Sequence, residues 1–202
     1  LFCGIGGFHQ AMSSFGCECT MACDIDKDCR KNYLLNYHME PLHDVTKINP
    51  EELVDFDIIC GGFPCQAFSN AGKKNTFNDN RGLLFDEIIR IAIVKKPKFM
   101  FLENVKHILK VGDGEVIEYI KNKLDTNNYV LQLFKMSPHE YGIPQQRERI
   151  YFVCVRKDIY NGTEIKLPDI ENKVIDLEKY MIKEEEIDAK YKIDGDVQKC
   201  LE

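Results

Sequence analysis

The sequence predicts an α/β fold whose sheet is mostly parallel and is closed at one edge by an antiparallel hairpin. Short apolar runs alternate with helix-like stretches through most of the chain, which is the pattern of parallel strands joined by crossover helices. Two later strand-like runs follow each other with no helix between them, which indicates an antiparallel pair. A chain of 202 residues with 44% hydrophobic side chains can bury one sizeable core, so we expect one main domain.

The elements follow in order from the first residues. Leu1, Phe2 and Cys3 read as the end of a strand that turns into a helix at the glycine-rich residues 4–7. The remaining predicted strands are residues 19–23, 56–60, 99–102, 129–136 and 149–155. The predicted helices are residues 27–37, 83–94 and 116–124, and residues 138–146 are too polar and proline-rich to be helical. The prediction is a domain over residues 1–168, followed by an acidic segment over residues 169–202.

The net charge of −6 is concentrated near the end of the chain. Residues 169–202 carry 11 acidic and 6 basic side chains, and the preceding residues carry 22 and 21. A nearly neutral body can present a local basic cleft, but it does not supply the broad positive field of non-specific DNA binding. We therefore expect part of any DNA-binding surface to lie outside this chain. No apolar run approaches membrane-spanning length and no leader pattern is visible, so we expect a cytoplasmic protein with reduced thiols.

Four of the nine cysteines cluster at Cys17, Cys19, Cys23 and Cys29, so a metal site has to be weighed. Their spacing lacks the paired C-x2-C elements that zinc sites usually have. We expect buried structural thiols here and no metal site.

A glycine turn precedes an acidic residue at a spacing typical of nucleotide sites. Gly4, Gly6 and Gly7 allow the backbone to approach a ligand closely, and Asp24 follows twenty residues later at the end of the next predicted strand. The same turn also serves ordinary strand-to-helix packing, so the pattern alone leaves both interpretations open. Asp44 precedes another predicted helix and is either a helix cap or a contact to an adenine amino group or a methionine moiety.

A cysteine follows an apolar strand in a loop of unusual composition. Residues 61–69 read Gly-Gly-Phe-Pro-Cys-Gln-Ala-Phe-Ser, which places Cys65 between a stiffening proline and a glutamine. Loops after the strands of open α/β sheets build the sites of such folds. We interpret Cys65 as a nucleophile rather than as a buried thiol in a tight turn.

Two further motifs carry charge in places that suggest chemistry. Glu103 ends the apolar strand that begins at Phe99, where its charge would be partly desolvated, so it is a candidate acid or hydrogen-bond partner for a base. Arg147 and Arg149 alternate and therefore point to one side of an extended chain. Two guanidinium groups on one face suit a phosphate or an oxygen that must be oriented. The alternative is an ordinary salt bridge with a neighbouring glutamate.

These motifs occur in the order found in a known family. Residues 1–8, 62–69, 102–105 and 145–150 resemble the cofactor, Pro-Cys-Gln, Glu-Asn-Val and Gln-x-Arg-x-Arg motifs of the cytosine carbon-5 DNA methyltransferases of the bacterial type. Residues 79–85 and 141–144 are similar to the same family, and the resemblance covers about residues 1–160. It implies a Rossmann-like fold dependent on S-adenosylmethionine, with S-adenosylhomocysteine as the product and no metal.

The resemblance also implies roles for individual residues. Cys65 would add to carbon 6 of cytosine, Glu103 would hold or protonate ring nitrogen 3, Arg149 would orient the base oxygen, and Arg147 would support the thiol loop or a phosphate. Asp24 would take the ribose hydroxyls of the cofactor. The other implied cofactor-binding residues are Phe2, Gly4, Gly7, Ile25, Asp44, Val45, Gly62, Pro64 and Leu84.

The implied substrate is a cytosine flipped out of double-stranded DNA, in a restriction-modification setting. The family normally continues into a target-recognition domain, and residues 169–202 resemble the lead-in to it. We expect this chain to be a piece of a longer protein or the catalytic half of a split enzyme whose second chain supplies recognition. The alternatives are a tRNA cytosine methyltransferase, a catalytically silent binding module and, last, a dinucleotide-dependent oxidoreductase.

Overall fold

The computed structural model describes residues 1–64, 84–168, 176–183, 186 and 188. The predicted nucleophile Cys65 and the neighbouring residues 66–83 lie outside this described part. The chain divides into two compact units. The first comprises Leu1–Ser137 and Glu148–Pro168, and the second comprises Pro138–Arg147 and Asp169–Glu202.

The first unit contains four α-helices and four strands within the described residues. The helices are α1 (Gly7–Ser13), α2 (Lys27–Tyr37), α3 (Leu84–Lys95) and α4 (Glu115–Thr126). The strands are β1 (Ile58–Gly62), β2 (Phe99–Val105), β3 (Tyr129–Met136) and β4 (Arg149–Arg156). The predicted helices and four of the predicted strands are thus confirmed, with β2 reaching three residues further than predicted.

The strand predicted over residues 19–23 is wrong. In this stretch only Cys23 pairs, through an isolated parallel bridge to Leu42. Its neighbour on the other side is the short segment at the start of the chain, which contributes one backbone hydrogen bond, from the nitrogen of Cys3 to the carbonyl of Cys23 at 3.0 Å. Two backbone hydrogen bonds join the segment to Leu42, from the nitrogen of Asp24 at 2.9 Å and to the carbonyl of Ala22 at 2.8 Å, so it forms one bridge but not a continuous ladder.

The sheet has the order β1-β2-β4-β3. Strands β1 and β2 are parallel, and β4 is antiparallel to both of its neighbours, β2 and β3. Three strands therefore run in one direction and β4 alone runs against them, which confirms the mostly parallel sheet with an antiparallel edge hairpin. The register places Gly62 opposite Glu103 and Val105 opposite Arg149.

The chain extends the sheet beyond β1 through a few backbone hydrogen bonds. The backbone nitrogen of Leu1 donates to the carbonyl of Cys60 at 2.7 Å, and the chain then continues side by side through Cys3, Cys23 and Leu42. The carboxyl ends of parallel extended segments lie at the same edge of a sheet, where α/β folds bind ligands. The glycine turn, Asp24 and Asp44 follow such ends, and Glu103 lies near the carboxyl end of β2.

Helices α3 and α4 supply much of the core. Their buried residues recur at helical spacing, so one face of each helix is apolar. These residues are Phe85, Ile88, Ile89, Ile91 and Ala92 in α3, and Val116, Ile117, Ile120 and Leu124 in α4. Full burial of one such large side chain contributes about 1.5–3 kcal/mol, so this layer holds the sheet firmly beneath the site.

The described part of the second unit consists of short turns. Pro138–Tyr141 and Leu177–Tyr180 are single turns of 3-10 helix, and the hydroxyl of Tyr180 donates to the carbonyl of Gly142 at 3.4 Å. The prediction that residues 138–146 do not form an α-helix is confirmed. In the described ranges of both units, none of the helices has the length and apolar character needed to cross a membrane.

Candidate active site

The glycine turn adopts a backbone that few residues tolerate. Gly4 and Gly6 have φ values of +52° and +99°, in the left-handed region where a side chain is costly. Phe2 also has a positive φ of +52°, which is a rare conformation for a bulky residue. Such outliers occur preferentially at ligand-binding sites. Helix α1 begins at Gly7, directly after this turn.

The side chain of Asp24 binds the backbone of the glycine turn. Its Oδ2 accepts a hydrogen bond from the backbone nitrogen of Gly4 at 2.7 Å, and its Oδ1 accepts one from the nitrogen of Asp26 at 2.9 Å. A carboxylate has about four acceptor positions, so it can still accept hydroxyl groups of a ligand. The two features that were singled out in the sequence, twenty residues apart, are thus in direct contact.

Open and apolar surface adjoins this contact. A methyl group added at Gly4 or at Gly7 would meet no atom within 4 Å, so the turn faces free space. Ile5 and Ile25 expose 65% and 69% of their surfaces. A carboxylate beside exposed apolar side chains fits an adenosine, which offers hydroxyl groups and a flat apolar base. These residues therefore fit the nucleoside part of S-adenosylmethionine.

Asp44 caps the 3-10 turn that follows it, which agrees with one of the two interpretations of this residue. Its Oδ1 accepts hydrogen bonds from the nitrogen and the hydroxyl of Thr46 at 2.9 and 2.8 Å, ahead of the 3-10 turn Val45–Lys47. These bonds lower the pKa of the Asp44 carboxyl group. Val45 is only 6% exposed and belongs to the core, and its carbonyl accepts a hydrogen bond from Nη2 of Arg90 at 3.0 Å.

Glu103 is held by Arg149 at the carboxyl end of β2. The Nε of Arg149 lies 2.8 Å from Oε1 of Glu103, and the two side chains are 17% and 24% exposed. Gly62, opposite Glu103 on β1, leaves room for this carboxylate, because a Cβ at position 62 would lie 3.3 Å from its Oε2. The glycine, the acid and the arginine therefore form one cluster.

Asn104 holds the start of the cysteine loop in place through a side-chain hydrogen bond. It is 2% exposed, and its Nδ2 donates to the carbonyl of Phe63 at 2.8 Å. Phe63 is itself buried and packs on Phe85 and Phe152, with ring centroids 5.4 and 5.8 Å away. Pro64, the last residue described before Cys65, is exposed. The anchored residue Phe63 thus precedes Cys65 by two positions in the chain.

The remaining predicted site residues are placed as follows. Leu84 is partly exposed at the first position of α3. Arg147 is exposed and belongs to the second unit, whereas Arg149 belongs to the first. The carboxylate of Glu148 pairs with Lys106 and Lys135, at 2.6 and 3.2 Å, and these two ammonium groups lower its pKa.

The clustered cysteines only partly match the prediction. Cys23 is buried, but Cys17, Cys19 and Cys29 are partly exposed. Cys17 and Cys19 border an open groove. That groove has a volume of about 720 Å³ and is lined by none of the predicted site residues, so we do not place the chemistry there. In the described ranges, no group of three or more histidine, cysteine or acidic side chains is arranged to hold a metal ion.

Three residues with a clear structural role at the site were not predicted as site residues, although Asn104 belongs to the Glu-Asn-Val motif. Asn104 anchors Phe63, Arg30 donates to the carbonyls of Asp24 and Ile25, and the hydroxyl of Tyr37 donates to Gly6. A polar side chain inside an apolar strand was the available signal for Asn104. Arg30 and Tyr37 lie on a helix with many polar residues, where nothing in the sequence distinguishes them.

Comparison with known proteins defines first the class and then the family. A solved structure of a Spodoptera frugiperda DNMT2 mutant superposes with a TM-score of 0.70 at 26% identity, over 94% of this chain and 60% of that one. A putative DNA modification methyltransferase encoded in an E. coli prophage superposes with a TM-score of 0.64 at 27% identity, over 78% and 46% of the two chains. The fold is that of a Rossmann-like, S-adenosylmethionine-dependent methyltransferase. The chain belongs to the C-5 cytosine-specific DNA methylase family, whose sequence profile matches residues 1–200.

The sequence relatives agree with this family. The chain is 43% identical to the type II methyltransferase M.HhaI of Haemophilus parahaemolyticus over 79% of this chain and 49% of that protein. It is 43% identical to the type II methyltransferase M1.ScrFI of Lactococcus lactis subsp. cremoris over 83% of this chain and 44% of that protein. The chain thus spans about half the length of the curated relatives that it matches.

Proposed function

We propose that this chain carries the catalytic machinery of a DNA (cytosine-5-)-methyltransferase of a restriction-modification system. It would transfer a methyl group from S-adenosylmethionine to carbon 5 of a flipped cytosine in duplex DNA, through a covalent adduct with Cys65. The observation that carries the proposal is the cluster of Gly62, Glu103 and Arg149, at the edge of the sheet where the cysteine loop begins.

Three residues in or beside the glycine turn would bind the cofactor. The backbone of Gly4 would approach the ligand, Asp24 would accept its ribose hydroxyls, and Ile25 would cover the adenine. The other residues that would complete the pocket are Phe2, Gly7, Asp44, Val45, Gly62, Pro64 and Leu84. S-adenosylmethionine supplies an electrophilic methyl group on a sulfonium and leaves as S-adenosylhomocysteine.

Cytosine needs activation because its carbon 5 is a poor nucleophile. The Cys65 thiolate would add to carbon 6, and the electron pair displaced from the ring double bond would make carbon 5 nucleophilic. Glu103 would hold or protonate ring nitrogen 3, which takes up the electron density, while Arg149 would orient the base oxygen. After transfer, loss of the carbon-5 proton and of the Cys65 sulfur would restore the aromatic ring. Arg147 would support the thiol loop or a backbone phosphate.

The arrangement of Glu103 supports its proposed role as a hydrogen-bonding group. Arg149 occupies Oε1, so Oε2 is the oxygen left to face a base, on the side of Gly62. A salt bridge fixes the carboxylate so that no reorganisation is needed when charge develops on the base. Glutamate without this partner would be free to rotate.

The test is covalent trapping with the full-length protein. Incubation with S-adenosylmethionine and duplex DNA containing 5-fluorocytosine should give an adduct that survives denaturation, because fluorine at carbon 5 blocks the final elimination. The Cys65→Ser variant should give none. Lys121→Gln, on the exposed surface of α4, serves as the control and should be trapped like the wild type.

Two results would contradict the proposal. A wild-type protein that is trapped on tRNA but not on mixed-sequence duplex DNA would establish the RNA substrate instead. A protein that binds S-adenosylhomocysteine but forms no adduct with either nucleic acid would be a binding module rather than an enzyme.

A further inference from the structure

Helix α2 contacts both segments to which we assign the cofactor. Near its start, Nη1 of Arg30 donates to the carbonyl oxygens of Asp24 at 2.9 Å and Ile25 at 2.7 Å. At its end, the hydroxyl of Tyr37 donates to the carbonyl of Gly6 at 3.1 Å. Arg30 and Tyr37 are about two helical turns apart, so they lie on the same face of the helix.

Arg30 fixes the backbone conformation of the residues that follow Asp24. Its guanidinium group binds two successive carbonyl groups, which fixes the orientation of both peptide planes around Ile25. Charge-assisted hydrogen bonds of this kind are roughly twice as strong as neutral ones. The start of α2 is fixed as well, because the side chain of Asp26 accepts from the nitrogen of Cys29 at 2.8 Å. The direction of the Asp24 and Ile25 side chains therefore depends on Arg30.

Tyr37 supports the glycine turn from its buried side. A Cβ at Gly6 would lie 2.1 Å from Cε2 of Tyr37, so the ring fills the space that the glycine leaves. The ring of His9 stacks on Tyr37 with centroids 4.0 Å apart and an interplanar angle of 15°. His9 is held in turn by the hydroxyl of Tyr33, 2.6 Å from its Nδ1, and Tyr33 is 1% exposed. Tyr37 thus has little freedom to move.

We propose that Arg30 and Tyr37 are positioning residues for S-adenosylmethionine. They hold the glycine turn and the Asp24–Ile25 bend on one rigid helix, in addition to the direct bond between Gly4 and Asp24 at 2.7 Å. This inference rests on the proposed function of the site. Neither residue takes part in the methyl transfer. Each raises the fraction of protein molecules whose cofactor site has the conformation that binds S-adenosylmethionine.

The test compares cofactor binding with turnover in the full-length protein. Tyr37→Phe removes one hydroxyl group and keeps the ring, and should weaken S-adenosylhomocysteine binding about threefold to tenfold. Arg30→Met should weaken it about tenfold or more, because it removes two charge-assisted bonds. Arg30→Lys keeps a charge with enough hydrogens for both carbonyls and should restore most of the affinity. The KM for S-adenosylmethionine should rise in parallel, with kcat at saturation within about twofold of the wild type.

Tyr119→Phe is the matched control. It also removes a tyrosine hydroxyl group from a hydrogen bond, to Oδ1 of Asp86 at 2.7 Å, but on α4 and away from the two cofactor segments. It should lower the melting temperature to a similar degree without changing the Kd for S-adenosylhomocysteine.

The outcomes separate this inference from the proposed function. If Tyr37→Phe and Arg30→Met bind S-adenosylhomocysteine like the wild type and lose only thermal stability, the two residues are structural and the inference is overturned. A fall in kcat with an unchanged KM would overturn it as well. If the wild-type protein itself does not bind S-adenosylhomocysteine, the proposed function fails first.

Discussion

Glu103 and Arg149 are diagonal neighbours across two antiparallel strands, and their Oε1 and Nε atoms are 2.8 Å apart. The residue directly opposite Glu103 is Tyr151, so the long arginine side chain reaches back along the sheet. Both side chains are less than one quarter exposed, which makes solvent screening of the pair weaker than at an open surface. Each residue therefore depends on the other for its orientation.

Arg149→Met should lower kcat about 10- to 1000-fold without a comparable change in the KM for S-adenosylmethionine, because Glu103 loses the group that orients it. Single-turnover methylation of duplex DNA measures this directly. Glu103→Gln should lower the rate about 100- to 10,000-fold.

The combination of both substitutions tests whether the two residues act together. The double variant should be hardly slower than Glu103→Gln alone, because residues that act as a unit are not additive. Fully additive losses would mean that Arg149 acts independently of Glu103, for instance on the base alone.

Gly62→Ala should disturb the same carboxylate from the neighbouring strand. The new methyl group would lie 3.3 Å from Oε2 of Glu103, which forces the carboxylate to move by a few tenths of an ångström. We expect about a tenfold loss of kcat, since small misplacements of catalytic groups cost much rate, with little change in the midpoint of urea unfolding. An unchanged kcat would show that Oε2 is not the oxygen that meets the base.

The sequence predicted most elements of the sheet because they are apolar runs bounded by turn residues. Residues 129–136 are mostly apolar and lie between Asn128 and Pro138, and they form β3 with the predicted bounds. Residues 19–23 are as apolar as the other strands, but they pair only through the isolated bridge between Cys23 and Leu42. Pairing partners are a tertiary property, so periodicity could not reveal this difference.

The site was predictable where a motif combines unusual residue types. The contact between Gly4 and Asp24 follows from their spacing and from the meeting of strand ends at one edge. The left-handed backbone of Phe2 and the bonds made by Arg30 depend on the three-dimensional path of the chain. A helix with only Tyr33 buried gives no sequence signal that its polar face supports a site.

Asn104→Leu should loosen the start of the cysteine loop. The carbonyl of Phe63 and the nitrogen of Val105 would lose their partners, which we expect to cost about 1–3 kcal/mol of stability. The rate of covalent trapping on 5-fluorocytosine DNA should fall as well, because Cys65 follows Phe63 by two residues. Asn127→Leu removes a comparable amide bond, to the carbonyl of Lys123 at 2.7 Å, and should leave the trapping rate unchanged.

Gly6→Ala and Gly7→Ala should differ strongly in their effects on stability. At Gly6 the methyl group would overlap the Tyr37 ring, and the φ of +99° disfavours any side chain. We expect a loss of about 3 kcal/mol or more, which combines overpacking with backbone strain. At Gly7, which is helical and has free space around it, alanine should be neutral or stabilise the protein by up to about 1 kcal/mol. Equal unfolding midpoints for the two variants would contradict this structure of the turn.

Alkaline pH should destabilise the protein through its buried thiols. Burial raises the pKa of Cys23 to about 11 from an ordinary value of 9.0, and raises that of Cys60 to about 11 as well. A raised pKa means that the folded state binds the proton more tightly than the unfolded state does. The resulting stability is fully present below pH 9 and is lost as the pH rises from there through 11.

The Cys23→Ala variant isolates one of these thiols, since Cys23 is 2% exposed and makes no contribution to the predicted chemistry. Between pH 9 and 11, its free energy of unfolding should fall less steeply than that of the wild type, by up to about 1.4 kcal/mol per pH unit. Urea unfolding at intervals of half a pH unit would measure both slopes. Below pH 8 the curves of the two proteins should run parallel, separated by the constant cost of the smaller side chain, because neither thiol form changes there. Parallel curves over the whole range up to pH 11 would mean that Cys23 ionises as easily in the folded protein as in the unfolded chain, and therefore that solvent reaches it beneath Leu42.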